Sequence, residues 1–331
     1  MIITKTPYRI SFFGGGTDHP DWFQESGGKV LSTTFNKYCY ITTRVLPPFF
    51  EHSHRIVYSK IESVSDINAI QHPSVREVLK YIGLNTGLEI HHDGDLPARS
   101  GLGSSSSFTV GILNALSALT GVYKSPHQLA TEAIHIEQNL INECVGSQDQ
   151  VAAAYGGFNE IEFNRDGSFL VEPLVVKKER LDDLNNHLML FFTGVSRYSS
   201  EILTSQMTNL TNCHSQMNEL RSMVDEGASV LRNQNNSLDD FGKLLDKSWK
   251  KKRSLSKLVS NNIIDEIYAT AIKAGATGGK LLGAGGGGFI LFYVKPERQI
   301  SVARTLKNLT LVPFEFENSG SRVVLYQPDG F

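Results

Sequence analysis

Cysteine is scarce in this chain of 331 residues, with three copies at Cys39, Cys144 and Cys213. An odd number at wide spacing, with no CxxC pair, excludes a disulfide framework and a zinc or redox motif. The three read as reduced, mostly structural thiols of a cytosolic protein. Charge of one sign is lacking as well, since 32 Lys and Arg stand against 34 Asp and Glu for a formal net charge of −2. That leaves no broad basic field for nucleic acid or an anionic membrane, so any anionic ligand must be held by a local site. Also missing is a run of about 18 apolar residues that could cross a membrane. Met1 to Pro7 lacks the charged-then-apolar pattern of a secretory leader, and the localisation read from these absences is cytoplasmic. What is present, 40% hydrophobic and 20% charged residues, is the composition of a folded globular chain. The length corresponds to about two domains at roughly 150 residues each.

Short β-like runs fill about the first 100 residues, at Ile2 to Thr4, Tyr8 to Phe12, Lys29 to Ser32, Tyr38 to Val45, Arg55 to Ser59 and Leu88 to His92. From Ser104 the pattern turns helical, with Phe108, Ile112, Ala115, Leu116 and Leu119 at three- and four-residue steps and Gly121 at the end. A second helix follows Ser125-Pro126, its stripe running Leu129, Ala133, Ile136 and Leu140. Phe158 to Phe163 and Phe169 to Val176 form a hairpin around Asn164-Arg165-Asp166-Gly167. Lys177 to Asn186 is the candidate boundary, dividing the chain into 1–176 and 187–331. Beyond it the pattern predicts a strand at Leu188 to Thr193, then helices over Ser199 to Arg232, Leu238 to Val259 and Ile263 to Ala274. A strand at Phe289 to Val294, a helix near Ile300 to Leu309 and strands at Val312 to Glu317 and Arg322 to Gln327 close the chain. The fold class is α+β.

Three glycine clusters frame the candidate chemistry. Pro97-Ala98-Arg99-Ser100-Gly101-Leu102-Gly103-Ser104-Ser105-Ser106-Ser107 stands directly ahead of a helix. Glycines allow positive φ and close approach, and a helix start offers unpaired N–H groups, so the pair can cradle phosphate. A plain turn with a Ser cap is an equal reading of the composition, although a cap needs one serine and here there are four. No Lys follows these glycines and no GxGxxG follows a strand, so neither the P-loop nor the dinucleotide fingerprint is present. Gly283-Ala284-Gly285-Gly286-Gly287-Gly288 lies between apolar flanks, which favours close backbone approach to a ligand or another loop over an exposed linker. Gly14-Gly15-Gly16-Thr17-Asp18 ends a strand that contains Arg9, and Asp18 there serves equally as a turn cap or as an acceptor for ligand hydroxyls. Among the acids, Glu137 falls beside the apolar stripe of the second helix and Asp149 follows a break at Val145 to Gln148. Spacing alone assigns catalysis to neither.

Taken in order, these pieces resemble the GHMP kinase superfamily, named for galactokinase, homoserine kinase, mevalonate kinase and phosphomevalonate kinase. The first motif resembles Pro7 to Asp18, the second Pro97 to Ser107 and the third Lys280 to Gly288, and the likeness spans nearly the whole chain. The resemblance implies a ribosomal-protein-S5-like N-terminal domain and a ferredoxin-like C-terminal domain. It also implies that Pro97, Arg99, Gly101, Leu102, Gly103, Ser104, Ser105 and Ser106 wrap ATP. By the same transfer Ser105 and Glu137 hold Mg2+, Asp149 is the catalytic acid/base, and Arg9 keeps it ionised by pairing. Asp18, with Gly15, Gly16 and Thr17, matches the sugar-contacting position, and Gly285 and Gly286 lie on the substrate side. This chain has Gly103-Ser104-Ser105-Ser106-Ser107 where the family commonly has Gly-Ser-Ser-Ala, and its interval from Glu137 to Asp149 is about one residue longer than in mevalonate kinase.

Within the superfamily, Gly14 to Asp18, Thr193-Gly194-Val195-Ser196-Arg197 and Trp249 with Lys250 to Arg253 resemble the D-glycero-D-manno-heptose 7-phosphate kinase group, with fucokinase domains as near relatives. That resemblance implies transfer to the anomeric hydroxyl of a sugar phosphate on the way to a nucleotide-activated heptose. The substrate phosphate calls for a cationic pocket, with Arg197 leading and Arg99, Lys252 and Arg253 behind it. A kinase of an unphosphorylated fucose- or galactose-type sugar is the alternative. A non-catalytic nucleotide sensor would have no need of Arg9, Ser105, Glu137 and Asp149 together. For the predicted helix from Ser199, a second subunit and a cover over the substrate are both open, as are a monomer and a homodimer.

Overall fold

The computed structural model describes residues 1–98, 100–194, 202, 204 and 213–328. Among these, two sheets carry the fold, one of nine strands and one of four. The chain runs β1 (Ile2–Phe13), α1 (Pro20–Ser26), β2 (Gly28–Val45), β3 (His54–Val57), β4 (Ile61–Val64), α2 (Pro73–Ile82) and β5 (Leu88–Gly94). Then follow α3 (Ser104–Leu119), α4 (Pro126–His135), α5 (Gln148–Tyr155), β6 (Phe158–Phe163), β7 (Phe169–Pro173), α6 (Lys178–Asn186) and β8 (Leu188–Phe192). The rest is α7 (His214–Arg232), α8 (Asp239–Arg253), α9 (Asn262–Ala274), β9 (Ala276–Leu281), β10 (Phe289–Val294), α10 (Pro296–Thr305), β11 (Thr310–Val312), β12 (Phe316–Glu317) and β13 (Arg322–Tyr326). The large sheet has the order β13-β1-β2-β5-β3-β4, with β6 and β12 also on β2 and β7 on β6; the small one has the order β11-β8-β10-β9.

Several predicted runs fuse. The two expected strands around Pro7 are the single β1, whose register against β2 shifts between Pro7 and Tyr8, the kind of irregularity where a residue without an N–H is tolerated in a sheet. Lys29 to Ser32 and Tyr38 to Val45 likewise belong to one strand, β2. No expectation covered α1, α2, β4, α5, α6 or β9. The small-residue stretch after Asp149 is the helix α5, built on Ala152, Ala153 and Ala154, which are strong helix formers and all buried here. The glycine-containing β9 is a strand because α8 lies directly on it: a Cβ at Gly278 would fall 2.0 Å from the Gly242 carbonyl oxygen.

The buried core forms two clusters, one between the large sheet and α3, α5 and α7, the other between the small sheet and α9 and α10. The first sheet also takes strands from beyond the segment read as a boundary, which itself forms α6. β12 pairs with β2 through Phe316 and Phe35, and β13 pairs with β1 through Tyr326 and Ile2. Of the helix predicted from Ser199 to Arg232, the part at 199–201, 203 and 205–212 lies outside the described residues, and α7 covers His214–Arg232. No helix among the described residues is long and apolar enough to cross a membrane.

Candidate active site

β1, α3, α5, α8 and the two glycine loops meet around a cavity of about 310 Å3. α3 starts at Gly103, whose φ of 76° is left-handed, and no side chain caps the helix. Its first turn therefore aims backbone donors and the positive end of the helix dipole at the space in front. Gly101, Gly103, Ser104, Ser105 and Ser106 all line that space. The second glycine loop buttresses the first. The N–H of Phe289 donates to the Ser100 carbonyl at 3.2 Å, and a Cβ at Gly283 would lie 2.4 Å from Gly101 Cα. Of the two partners foreseen for the Gly283–Gly288 run, another loop is thus one that the structure supplies.

Arg9 and Asp149 face the start of α3. The guanidinium donates twice to the carboxylate, Nε to Oδ1 and Nη2 to Oδ2, both at 2.8 Å, and its Nη1 donates to the Gly101 carbonyl at 2.6 Å. This bidentate pair fixes the position and the plane of the carboxylate. Arg9 is buried in β1, whereas a quarter of the Asp149 side chain remains exposed, toward the cavity. Asp18 lies alongside, buried, accepting from the N–H groups of Gly16 at 2.9 Å and Gln148 at 3.3 Å. Burial first, then the charge of Asp149, raises its pKa, and the backbone donors oppose them.

Two lysines complete the cavity. Lys252 of α8 donates to the Gly283 carbonyl, and Lys280 of β9 donates to the Phe12 carbonyl at 2.7 Å. Burial, with Arg9 adding repulsion, pushes Lys252 down to about 8, against the pull of Asp18 and Asp149. Lys280 is lowered further, by burial and then by the charges of Lys252 and Arg9. Lys252 sits on the apolar stripe Phe241, Leu245, Trp249 of α8, a position where a cation stands out in the sequence. Its neighbours Lys250, Lys251 and Arg253 instead pair outward with Asp246, Glu219 and Asp265.

Not every expected residue reaches the cavity. Gly15, Gly16 and Gly285 line it. Thr17 does not; its buried hydroxyl donates to the Gly14 carbonyl at 2.7 Å and to that of Lys29 at 2.9 Å, which shapes the turn. Gly286 instead donates its N–H to the Val259 carbonyl and accepts from the Asn261 side-chain amide, Leu102 turns its side chain into the core, and Pro97 is exposed beside the Ser100 hydroxyl that it accepts from. Arg99 and Arg197 lie outside the described residues.

Ser105 and Glu137, the residues expected to hold the metal, are placed differently in the structure. It is the Ser106 hydroxyl that donates to Glu137, at 2.8 Å, because position 106 points inward on α3 while Ser105 is exposed at the cavity rim. Glu137 is fully buried and also accepts from Gln150; burial lifts its pKa to about 7 against those donors and Thr109. It stands in a π-helical turn, Ile136–Leu140, that extends α4. A π turn takes up an extra residue relative to an α-helical one. Glu137 Oε1 has no hydrogen-bond partner, so one carboxylate oxygen beside a serine hydroxyl is available for a hard cation. That set fits Mg2+, which takes one or two carboxylates and completes its shell with phosphates and water. Among the described residues no group of three or more His, Cys, Asp or Glu is gathered for a metal.

Comparison with known proteins gives the family. Residues 69–157 match the GHMP kinases N terminal domain, and residues 229–309 match GHMP kinases C terminal. The chain is 30% identical to the D-glycero-alpha-D-manno-heptose 7-phosphate kinase of Campylobacter jejuni, over 92% of this chain and 93% of that one. The chain belongs to the GHMP kinases. As a GHMP kinase it is an enzyme, an ATP-dependent sugar kinase. It is also 25% identical, over 88% of its length, to the bifunctional fucokinase/GDP-fucose pyrophosphorylase of Arabidopsis thaliana, of which it spans 30%. Among solved structures, a D-glycero-D-manno-heptose 1-phosphate kinase from Bacteroides thetaiotaomicron superposes with a TM-score of 0.81 at 25% identity, covering 98% of this chain and 99% of that one.

Proposed function

We propose that this GHMP kinase transfers the γ-phosphoryl group of ATP to the anomeric hydroxyl of D-glycero-D-manno-heptose 7-phosphate, giving the 1,7-bisphosphate. The observation that carries the reading is that Arg9 holds Asp149 by two hydrogen bonds directly beside the uncapped start of α3, on one cavity. Asp149 takes the proton of the acceptor hydroxyl and Arg9 positions it. Backbone N–H groups at Gly101 and Gly103, with Ser104 to Ser106, hold the triphosphate. Glu137 and a serine hydroxyl hold Mg2+, which neutralises phosphate charge when bound. Asp18, Gly15 and Gly16 face the acceptor. Arg197 is the leading group for the substrate phosphate, with Lys252 as the candidate among the described residues. The likeness to heptose phosphate kinases supports the heptose.

One observation supports a free sugar of the fucose or galactose type instead. Each described cation of the cavity already donates to a protein acceptor: Arg9 to Asp149, Lys252 to Gly283 and Lys280 to Phe12. The test is ADP release with ATP and Mg2+ across heptose 7-phosphate, heptose 1-phosphate, mannose, fucose and galactose, with products located by phosphorus NMR. Turnover of heptose 7-phosphate with a new anomeric phosphate signal is expected. Turnover of free sugars alone would replace the heptose with the second reading.

A further inference from the structure

Two residues that line the cavity each carry a buried polar atom with no hydrogen-bond partner in the protein. The atoms are Ser11 Oγ of β1 and Gln148 Oε1 at the start of α5, on residues 6% and 8% exposed. Buried polar atoms are nearly always satisfied, and one that is not waits for a partner from outside the chain. Both lie on the acceptor side. A Cβ added at Gly15 would stand 3.6 Å from Ser11 Oγ and 3.8 Å from Gln148 Nε2, so the glycine leaves open the space between them. Gln148 directly precedes Asp149, and its N–H is held by Asp18. A charged group finds no counter-charge in Ser11 or Gln148. An alcohol satisfies both, donating to the amide oxygen and exchanging a hydrogen bond with the serine.

We propose that Ser11 and Gln148 are specificity-determining residues that bind a hydroxyl of the acceptor on the carbon next to the one phosphorylated. This rests on the reading of the cavity as the acceptor site of a sugar kinase and adds which hydroxyl the site requires. For anomeric transfer that hydroxyl is the one on C2. A site with a buried acceptor rejects an analogue lacking the matching hydroxyl, because the acceptor is then left unpaired.

The test compares the wild type, Gln148→Met and Ser11→Ala on an accepted sugar and on its 2-deoxy analogue. The wild type is expected to lose about 10–100-fold in kcat/KM on the deoxy sugar. Each variant should lose a similar factor on the parent sugar and show much less further loss on the deoxy form, with KM for ATP unchanged. Gly15→Ala makes only ordinary contacts and lays a methyl group between the two residues, so it should raise KM for the sugar while leaving the fold and KM for ATP intact. Undiminished discrimination in both Gln148→Met and Ser11→Ala would overturn the inference while leaving the kinase reading in place. A wild type that phosphorylates no sugar would instead overturn the acceptor reading and this inference together.

Discussion

Asp149 shows at the scale of one residue how geometry limits chemistry. Both of its oxygens accept from Arg9, so the carboxylate is fixed in plane, and in the proposed base role it would take the proton of a hydroxyl placed in the cavity. Asp149→Asn keeps the size and removes the base; turnover should fall by about 10²–10⁴-fold, while nucleotide affinity measured by titration stays within about twofold. Lys252 gives a pH signature. Its folded pKa of about 8 lies below the ordinary lysine value, so between pH 8 and that value the unfolded chain holds more protons than the folded one. Its contribution to stability therefore rises with pH across that window, and the burial penalty is fully present below it. Lys252→Met should flatten that rise in denaturant melts. If the ammonium holds substrate phosphate, the wild type should also show KM for the phosphorylated sugar climbing above pH 8, a limb that Lys252→Met abolishes by raising KM at every pH. The sequence marks Lys252 by its place on an apolar stripe. Ser11 and Gln148 carry no such mark, since unpaired burial becomes visible only when β1 and α5 are brought together.

Among the elements, the two glycine loops act as one part. Gly101 has φ +83 and a Cβ there would lie 2.5 Å from the Leu282 carbonyl oxygen; Gly283 has φ +72 and meets Gly101 Cα. Backbone cannot yield to such contacts as a flexible side chain can, so alanine at either position should lower stability by at least about 2 kcal/mol in thermal or denaturant unfolding. It should also weaken nucleotide binding, since the start of α3 moves with the loop. Paired loops of this kind are legible in sequence as clusters, but their contact is not. Which serine meets Glu137 directly is likewise not legible in the sequence. Four serines in a row carry no pattern, and only the rotation of α3 decides that Ser106 faces inward and Ser105 outward.

Taken as a whole, the molecule is tied together by its C-terminal residues. β12 and β13 return to the first sheet after the chain has built the second, and Phe316 packs with Phe12 and Phe158. The halves should therefore unfold together. Trp22 lies near the first sheet and Trp249 in the second cluster; fluorescence melts of Trp22→Phe and Trp249→Phe variants, each reporting from the remaining tryptophan, should share one midpoint. Two separated midpoints would show independent domains. Hydrophobic periodicity by itself determined the α+β class, α3, α4, the β6–β7 hairpin and β10, because those signals are local to each element. The three glycine clusters and their order were likewise enough to indicate the family. Only the tertiary structure decided that the short N-terminal strands fuse into β1 and β2, that Thr17 and Gly286 serve the backbone and not the cavity, and that Lys280, Ser11 and Gln148 enter it. Each of those outcomes depends on which distant backbone lies alongside, a relation that no local spacing records.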